Sequence, residues 1–108
     1  MSTSKSTLTY LEDCLSLVPD LHAKAMFGEY GIYSWDRMFA LVCDNTLFFK
    51  TYPETVHLFE DTETKAYPGS KNTAPANSDW LEHPEELADI VRLTLEYTPK
   101  PKLKKKKI

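Results

Sequence analysis

Two apolar runs joined by a pair of turn residues dominate the middle of the chain, in the segment MFALVCDNTLFFKT at residues 38–51. Asp44 and Asn45 tolerate the left-handed backbone conformations that a two-residue hairpin loop needs. With these two residues as the loop, the predicted register places Val42 opposite Leu47, Ala40 opposite Phe49, and Leu41 opposite Phe48. The Leu41–Phe48 pair lies on the opposite face of the hairpin from the other two pairs. Both faces are therefore apolar, and each must be shielded from solvent by another part of the protein or by a partner.

A second strand-like segment, MFGEYGIY at residues 26–33, contains two of the three glycines in the chain. If it is one strand, alternation gives Gly28 and Gly31 to opposite faces, so that each face loses a side chain. Either a backbone or a ring packs closely over each gap, or the pair forms a G-x-x-G loop that clamps a nucleic-acid backbone. The carboxylate of the enclosed Glu29 argues against the second interpretation.

Helical patterns lie at both ends. Residues 9–12 fit a capping box, and the apolar spacing that follows predicts a helix over residues 10–18. Pro53 suits the first turn of a short helix that carries Val56 and Phe59. Residues 61–78 are rich in turn formers and predict at most short edge strands, at residues 65–67 and 74–77. From Ser78 the pattern is again helical and ends before Pro99.

Charge divides the chain into an acidic body and a basic end. Residues 1–99 carry 7 basic and 16 acidic groups, a net charge of −9, and form one predicted domain. Residues 100–108 are a predicted disordered tail. Its cations are Lys100, Lys102, Lys104, Lys105, Lys106 and Lys107. Three interpretations of the tail are open: a solubilising end, a weak attachment to nucleic acid, or a contact with an acidic protein face.

Several classes of protein find no support in the sequence. No apolar run approaches the ~20 residues of a membrane span and no signal peptide is evident, which predicts a soluble, cytoplasmic protein. Cys14 and Cys43 are expected to be buried free thiols. The three histidines are far apart in the chain and show no metal-ligand spacing. Because no nucleophile motif or phosphate-binding loop is present either, we expect no cofactor and no enzymatic activity.

Aromatic residues are concentrated in residues 27–52, on strands whose two faces are both apolar. They form either the core with a thin second layer under the 60s loop, or a surface for a partner or for self-association. The candidates for partner contact are Phe27, Tyr30, Tyr33, Trp35 and Phe48.

Four segments together, AMFGEYGIY, RMFALVCDNTLFFKT, AYPGS and DWLEHPEELADIVRL, resemble the TfoX N-terminal domain family in order and spacing. This family is the first domain of the TfoX/Sxy competence regulators, and the likeness covers about residues 10–98. The resemblance implies an α+β, two-layer domain, an antiparallel sheet with helices packed on one face. It also implies a non-catalytic role in the regulation of competence genes, alongside the cyclic AMP receptor protein.

Longer members of the family carry a second, helical domain, whereas this chain continues into lysines. The same fold can therefore serve a different role here, because function resides in sites and partners. Two functional classes are open: a protein-interaction module that acts as a transcriptional co-regulator, and a nucleic-acid or acidic-partner binder that acts through its tail. The sequence does not identify the partner or the oligomeric state, and a homodimer is one of the options.

Overall fold

A computed structural model describes residues 4–26, 29–67, 69–70 and 72–98 of the 108-residue chain. Within these ranges five strands form one antiparallel sheet, and each strand lies beside the next strand along the chain. The strands are β1 (Leu21–Met26), β2 (Glu29–Ser34), β3 (Arg37–Cys43), β4 (Thr46–Lys50) and β5 (Thr73–Pro75). The helices are α1 (Lys5–Cys14), α2 (Ser78–Leu81) and α3 (Pro84–Tyr97), with a single 3₁₀ turn at Val56–Leu58.

The β3–β4 hairpin has the register that the sequence predicts. Ala40 lies opposite Phe49, Leu41 opposite Phe48, and Val42 opposite Leu47. Asp44 and Asn45 form the loop with φ of 52° and 62°, the left-handed pair that a type I′ turn requires. The hairpin prediction is confirmed in both its loop and its pairing.

The prediction of one strand over residues 26–33 is wrong. Met26 ends β1, Glu29 begins β2, and these two residues lie opposite one another in adjacent antiparallel strands. Gly31 is a buried residue of β2 with strands on both sides, opposite Lys24 and Leu41. It therefore does not lie in a G-x-x-G loop between helices, and Gly28 is outside the described residues.

The first helix begins earlier than the sequence predicts. Ser4 is its N-cap, and the Ser4 Oγ accepts a hydrogen bond from the Thr7 N–H at 3.2 Å. Because a serine hydroxyl satisfies a free N–H of the first turn, the helix starts at Lys5. It ends at Cys14, so the prediction of a helix over residues 10–18 is displaced toward the N-terminus. The three apolar residues that suggested the helix, Leu11, Leu15 and Val18, are all buried.

Differences elsewhere are smaller. Residues 65–67 form no strand, and the strand expected at residues 74–77 is β5 at Thr73–Pro75. The helical pattern after Ser78 divides into α2 and α3, since Pro84 lacks an N–H and suits the first turn of a new helix. The short helix after Pro53 is reduced to the 3₁₀ turn.

Helices cover one face of the sheet. Leu11, Trp80, Leu87 and Val91 from the helices pack in one buried cluster with strand residues, of which Phe49 is fully buried. The opposite face, which we call the outer face, holds a smaller cluster of Leu41, Cys43, Phe48 and Ala66. The structure is thus the two-layer α+β domain expected from the sequence, with a sheet and a layer of helices. On the outer face of the sheet, the segment around Ala66 forms a thin cover.

Three further observations concern the described residues alone. None of their helices has the length and apolar character needed to cross a membrane. Nor do any three of their His, Cys, Asp or Glu side chains gather as metal ligands would. Cys14 and Cys43 are buried free thiols, as predicted.

Candidate interaction surface

The predicted contact residues have different surroundings. Trp35 is 61% exposed, whereas Tyr30 is half-buried against the main core. Phe48 is only 4% exposed and packs in the cluster that contains Ala66, so a partner cannot reach it while that segment is in place. Phe27 and the six lysines of the tail lie outside the described residues. Tyr33 and Trp35 remain as candidates whose surroundings favour contact with a partner.

Tyr33 is held between two side chains of β1. Its ring stacks on the His22 ring, with centroids 5.8 Å apart and planes 10° apart. The Lys24 ammonium lies 5.4 Å from the centre of the same ring, a cation–π arrangement that contributes about 0.5–1 kcal/mol at an exposed site. These two contacts hold the Tyr33 ring in one orientation.

Strand pairing explains why these three side chains meet. His22 lies directly opposite Tyr33, and Lys24 is two residues along the same strand. Leu21 and Ala23 pack against the core, so alternation along β1 puts His22 and Lys24 on the outer face. The arrangement therefore depends on the register between β1 and β2.

The turn that follows Tyr33 adds an exposed indole and a carboxylate. Trp35 and Asp36 are the loop of the β2–β3 hairpin, with φ of 53° and 66°, which defines a second type I′ turn. Asp36 Oδ1 lies 3.9 Å from His22 Nε2. We use the term outer patch for the five residues His22, Lys24, Tyr33, Trp35 and Asp36.

His22 and Lys24 were missed as site residues because β1 was missed as a strand. The signal was present: in LHAKAM, residues 21–26, apolar and polar residues alternate as far as Lys24, which is the pattern of a half-buried strand. The pattern is short and contains two alanines, which are weak strand formers.

The side chains of the outer patch carry several kinds of polar and aromatic group. Within it, a cation, an imidazole, a phenol, an indole and a carboxylate offer hydrogen bonds, charge and flat apolar area. The nearest thiol in sequence, Cys43, is buried in β3, and its burial, followed by the charges of Glu29 and Asp44, raises its pKa. A buried thiol with a raised pKa is a poor nucleophile.

A second surface feature lies between the residues that follow α1 and the start of α3. It is an open depression of about 480 Å³ lined by Ser16, Leu17, Glu82, His83, Pro84, Glu85 and Glu86. The His83 pKa is raised, chiefly by the hydrogen bond of its Nδ1 with the Asp79 carbonyl oxygen at 2.8 Å and further by nearby carboxylates. Of the predicted contact residues that the structure describes, Tyr30, Tyr33, Trp35 and Phe48, none lines this depression.

Comparison with known proteins gives two results. The family model described as the TfoX N-terminal domain matches residues 13–97, which confirms the resemblance drawn from the sequence. A protein of Spirochaeta aurantia, described as an uncharacterized 12.7 kDa protein in the trpE 5′ region, is 30% identical over 108 residues. That alignment covers 99% of this chain and 93% of the relative.

Proposed function

Since this chain belongs to the TfoX N-terminal domain family, we propose that it acts as a non-catalytic protein-interaction module whose partner binds at the outer patch. The observation that carries the proposal is the exposure of Trp35, 61%, next to a Tyr33 ring already fixed by His22 and Lys24. Rigid aromatic side chains dominate the energetics of protein interfaces because they bury a large area at a small entropic cost.

The geometry of the turn supports this proposal. A type I′ turn favours Asn, Asp or Gly, and a bulky residue at positive φ is uncommon. Trp35 at a φ of 53° therefore places an indole where turn formation alone would favour a small residue. A role for the indole in contact with a partner accounts for a choice that folding does not require.

The resemblance to the TfoX/Sxy competence regulators supports a regulatory role as part of this proposal. We propose that it serves as a transcriptional co-regulator of the TfoX/Sxy type, with a transcription factor as its partner. This role needs a binding surface and no reacting group, which fits the composition of the outer patch.

The proposal is tested by removing the indole without straining the turn. Trp35→Asn keeps a residue that tolerates positive φ, and Tyr67→Asn is the matched control because Tyr67 is 54% exposed. Affinity capture from nuclease-treated native lysate identifies the proteins bound by the original chain. Binding of the purified partner to all three chains is then measured by calorimetry.

We expect Trp35→Asn to weaken binding by about 2 kcal/mol or more, about 30-fold in Kd, and Tyr67→Asn to leave the Kd unchanged. Equal affinities for the three chains would place the interface away from the outer patch. If untreated lysate yields captured proteins and nuclease-treated lysate yields none, the module role fails.

A second candidate function rests on the charge distribution. With six lysines after residue 99 and a net charge of −9 before residue 100, the chain has a single strongly basic segment. Weak, sequence-independent binding of nucleic acid through that tail is the alternative, because counterion release favours clustered cations on phosphate backbones.

A further inference from the structure

The free edge of β1 is an open row of backbone hydrogen-bonding groups. In the part of the chain that the structure describes, β1 is the first strand of the sheet and pairs only with β2. Among the described residues, none donates or accepts a hydrogen bond at the other side of Leu21–Met26. Such an edge is a template on which another strand can pair.

The opposite edge of the sheet is poorly suited to this. β5 has three residues, against six in β1, and the last is Pro75. Proline has no N–H to donate, and short edge strands with proline are protected against pairing. The two edges therefore differ, and β1 is the longer open one.

The pairing pattern identifies which groups of β1 point outward. Ser34 and Arg37 close the two-residue Trp35–Asp36 loop, and such a closing pair is hydrogen-bonded. The backbone of Ser34 is therefore directed toward β3, and by alternation the backbones of Tyr33 and Gly31 are directed toward β1. Their partners His22 and Lys24 bond to β2, so Leu21, Ala23 and Ala25 present their N–H and C=O groups outward.

We propose that β1 pairs antiparallel with β1 of a second copy of this chain, about a two-fold axis at Ala23, to form a continuous ten-stranded sheet. Two-fold symmetry perpendicular to the sheet requires opposing residues to share a face, so the axis must pass through a residue position. An axis at Ala23 places Leu21 opposite Ala25 of the second copy, and uses all three outward-facing residues.

The neighbouring registers are worse. An axis at Lys24 places two ammonium groups opposite one another, which is destabilising, and leaves the outward groups of Leu21 unpaired. An axis at His22 leaves those of Ala25 unpaired. The Ala23 register places His22 opposite Lys24 of the second copy, and Lys24 does not block the edge because its ammonium lies over the Tyr33 ring of its own chain.

The side chains near the axis allow close approach. Ala23 and Ala25 are small, and Ala25 is exposed. Both helical layers lie on the same side of the combined sheet, since the axis is perpendicular to it. The two outer patches become neighbours on the other side. Edge pairing needs only the backbone of β1, so it stands or falls separately from the binding of another protein at Trp35.

Sedimentation equilibrium over a concentration series tests the dimer in the full chain. Ala25→Pro removes one outward N–H and leaves the bonds to β2 intact, since proline is tolerated at a strand edge. Ala25→Val is the matched control, because it retains the N–H and favours strand structure. We expect the mass to rise from one chain to two for the original chain and for Ala25→Val, and to stay at one chain for Ala25→Pro, with circular dichroism unchanged.

A cross-linking experiment fixes the register and does not depend on proline. In the Ala23 register the Cα atoms of His22 and of Lys24 in the second copy are about 4.5 Å apart, within the range for a disulfide. Mild oxidation of mixed His22→Cys and Lys24→Cys chains should give a covalent dimer in high yield, and either variant alone should give little. A monomeric original chain at every concentration, or the same yield from single variants as from the mixture, overturns the proposal.

Discussion

The Arg37 guanidinium donates a hydrogen bond from Nη1 to the carbonyl oxygen of Leu95 at 3.0 Å. Arg37 is the first residue of β3, directly after the Trp35–Asp36 turn, and Leu95 lies in the last turn of α3. The contact joins the residue that follows the Trp35–Asp36 turn to the end of α3, where the Leu95 carbonyl oxygen also accepts a hydrogen bond from the Thr98 N–H at 3.2 Å and carries partial negative charge.

Arg37→Ala should lower the free energy of unfolding by about 1.5–2 kcal/mol, since it removes a charge-assisted hydrogen bond from a half-buried helix end. Urea titration followed by circular dichroism measures the change. Arg92→Ala is the control, because Arg92 pairs with Asp89 at an exposed site and such pairs contribute little. Equal losses for the two variants would mean that the contact with Leu95 does not stabilise the fold.

Phe49→Ala should cost on the order of 3–5 kcal/mol. The Phe49 side chain is fully buried, and its ring has centroid distances of 5.9 Å to Phe39, 5.9 Å to Phe59 and 6.0 Å to Trp80. Its removal leaves a cavity among three aromatic rings that cannot easily close. Denaturant titration of the original chain and of Phe49→Ala measures the difference in their free energies of unfolding.

Asn45→Gly, four residues away in the same hairpin, should change stability little. Glycine suits the φ of 62° at this position, which offsets the loss of the Asn45 Oδ1 that accepts a hydrogen bond from the Ser4 N–H at 2.9 Å. The same titration measures it. A loss as large as that of Phe49→Ala would show that the contact with Ser4 anchors α1.

The β3–β4 hairpin could be predicted residue by residue because two local signals agree there. Asp44 and Asn45 specify the loop, and the long apolar runs on either side leave one register that pairs like with like. Resemblance to a known family supplied the layer arrangement. The turn residues and the apolar runs of the hairpin lie within a short stretch of chain, and tertiary contacts do not change the pairing that these local signals predict.

The β1–β2 pair could not be predicted in this way. The aromatic and branched residues of MFGEYGIY, residues 26–33, suggested one strand, and only the pairing between Met26 and Glu29 shows two. The contact of Tyr33 with His22 follows from that pairing. Two of the five residues of the outer patch, His22 and Lys24, thus depend on a strand register that the short, alanine-containing sequence of β1 does not specify.

The imidazole of His83 should titrate above its ordinary pKa of about 6.5, because its Nδ1–H donates to the Asp79 carbonyl and the carboxylates of Glu86 and Glu82 lie nearby. Glu86→Gln should lower the His83 pKa, and Glu96→Gln, at the other end of α3, should not. NMR titration of the ring protons measures both. No difference between the two variants would contradict the electrostatic part of this account.

This shift also fixes the direction of a pH effect. A raised pKa means that the folded chain binds the proton more tightly than the unfolded chain does. Protonation of His83 therefore stabilises the fold fully at pH values below the ordinary pKa of histidine. This stabilisation is lost as the pH rises through the raised pKa of His83 in the folded chain. Replacing His83 by Gln should remove that decline from the plot of unfolding free energy against pH, whereas a decline that persists unchanged would assign it to another group.

The lysines after residue 99 should account for any binding of duplex DNA. Up to six phosphate contacts are available, each adding about 0.9 to the slope of log affinity against log salt, while the net charge of −9 on residues 1–99 opposes them. We expect gel-shift titrations at two salt concentrations to show weak binding by the full chain, equal for unrelated sequences. A chain ending at Pro99 should show none. Sequence-selective binding that survives this truncation would require a nucleic-acid site on the folded domain. It would contradict the expectation that the negative charge of residues 1–99 repels the phosphate backbone.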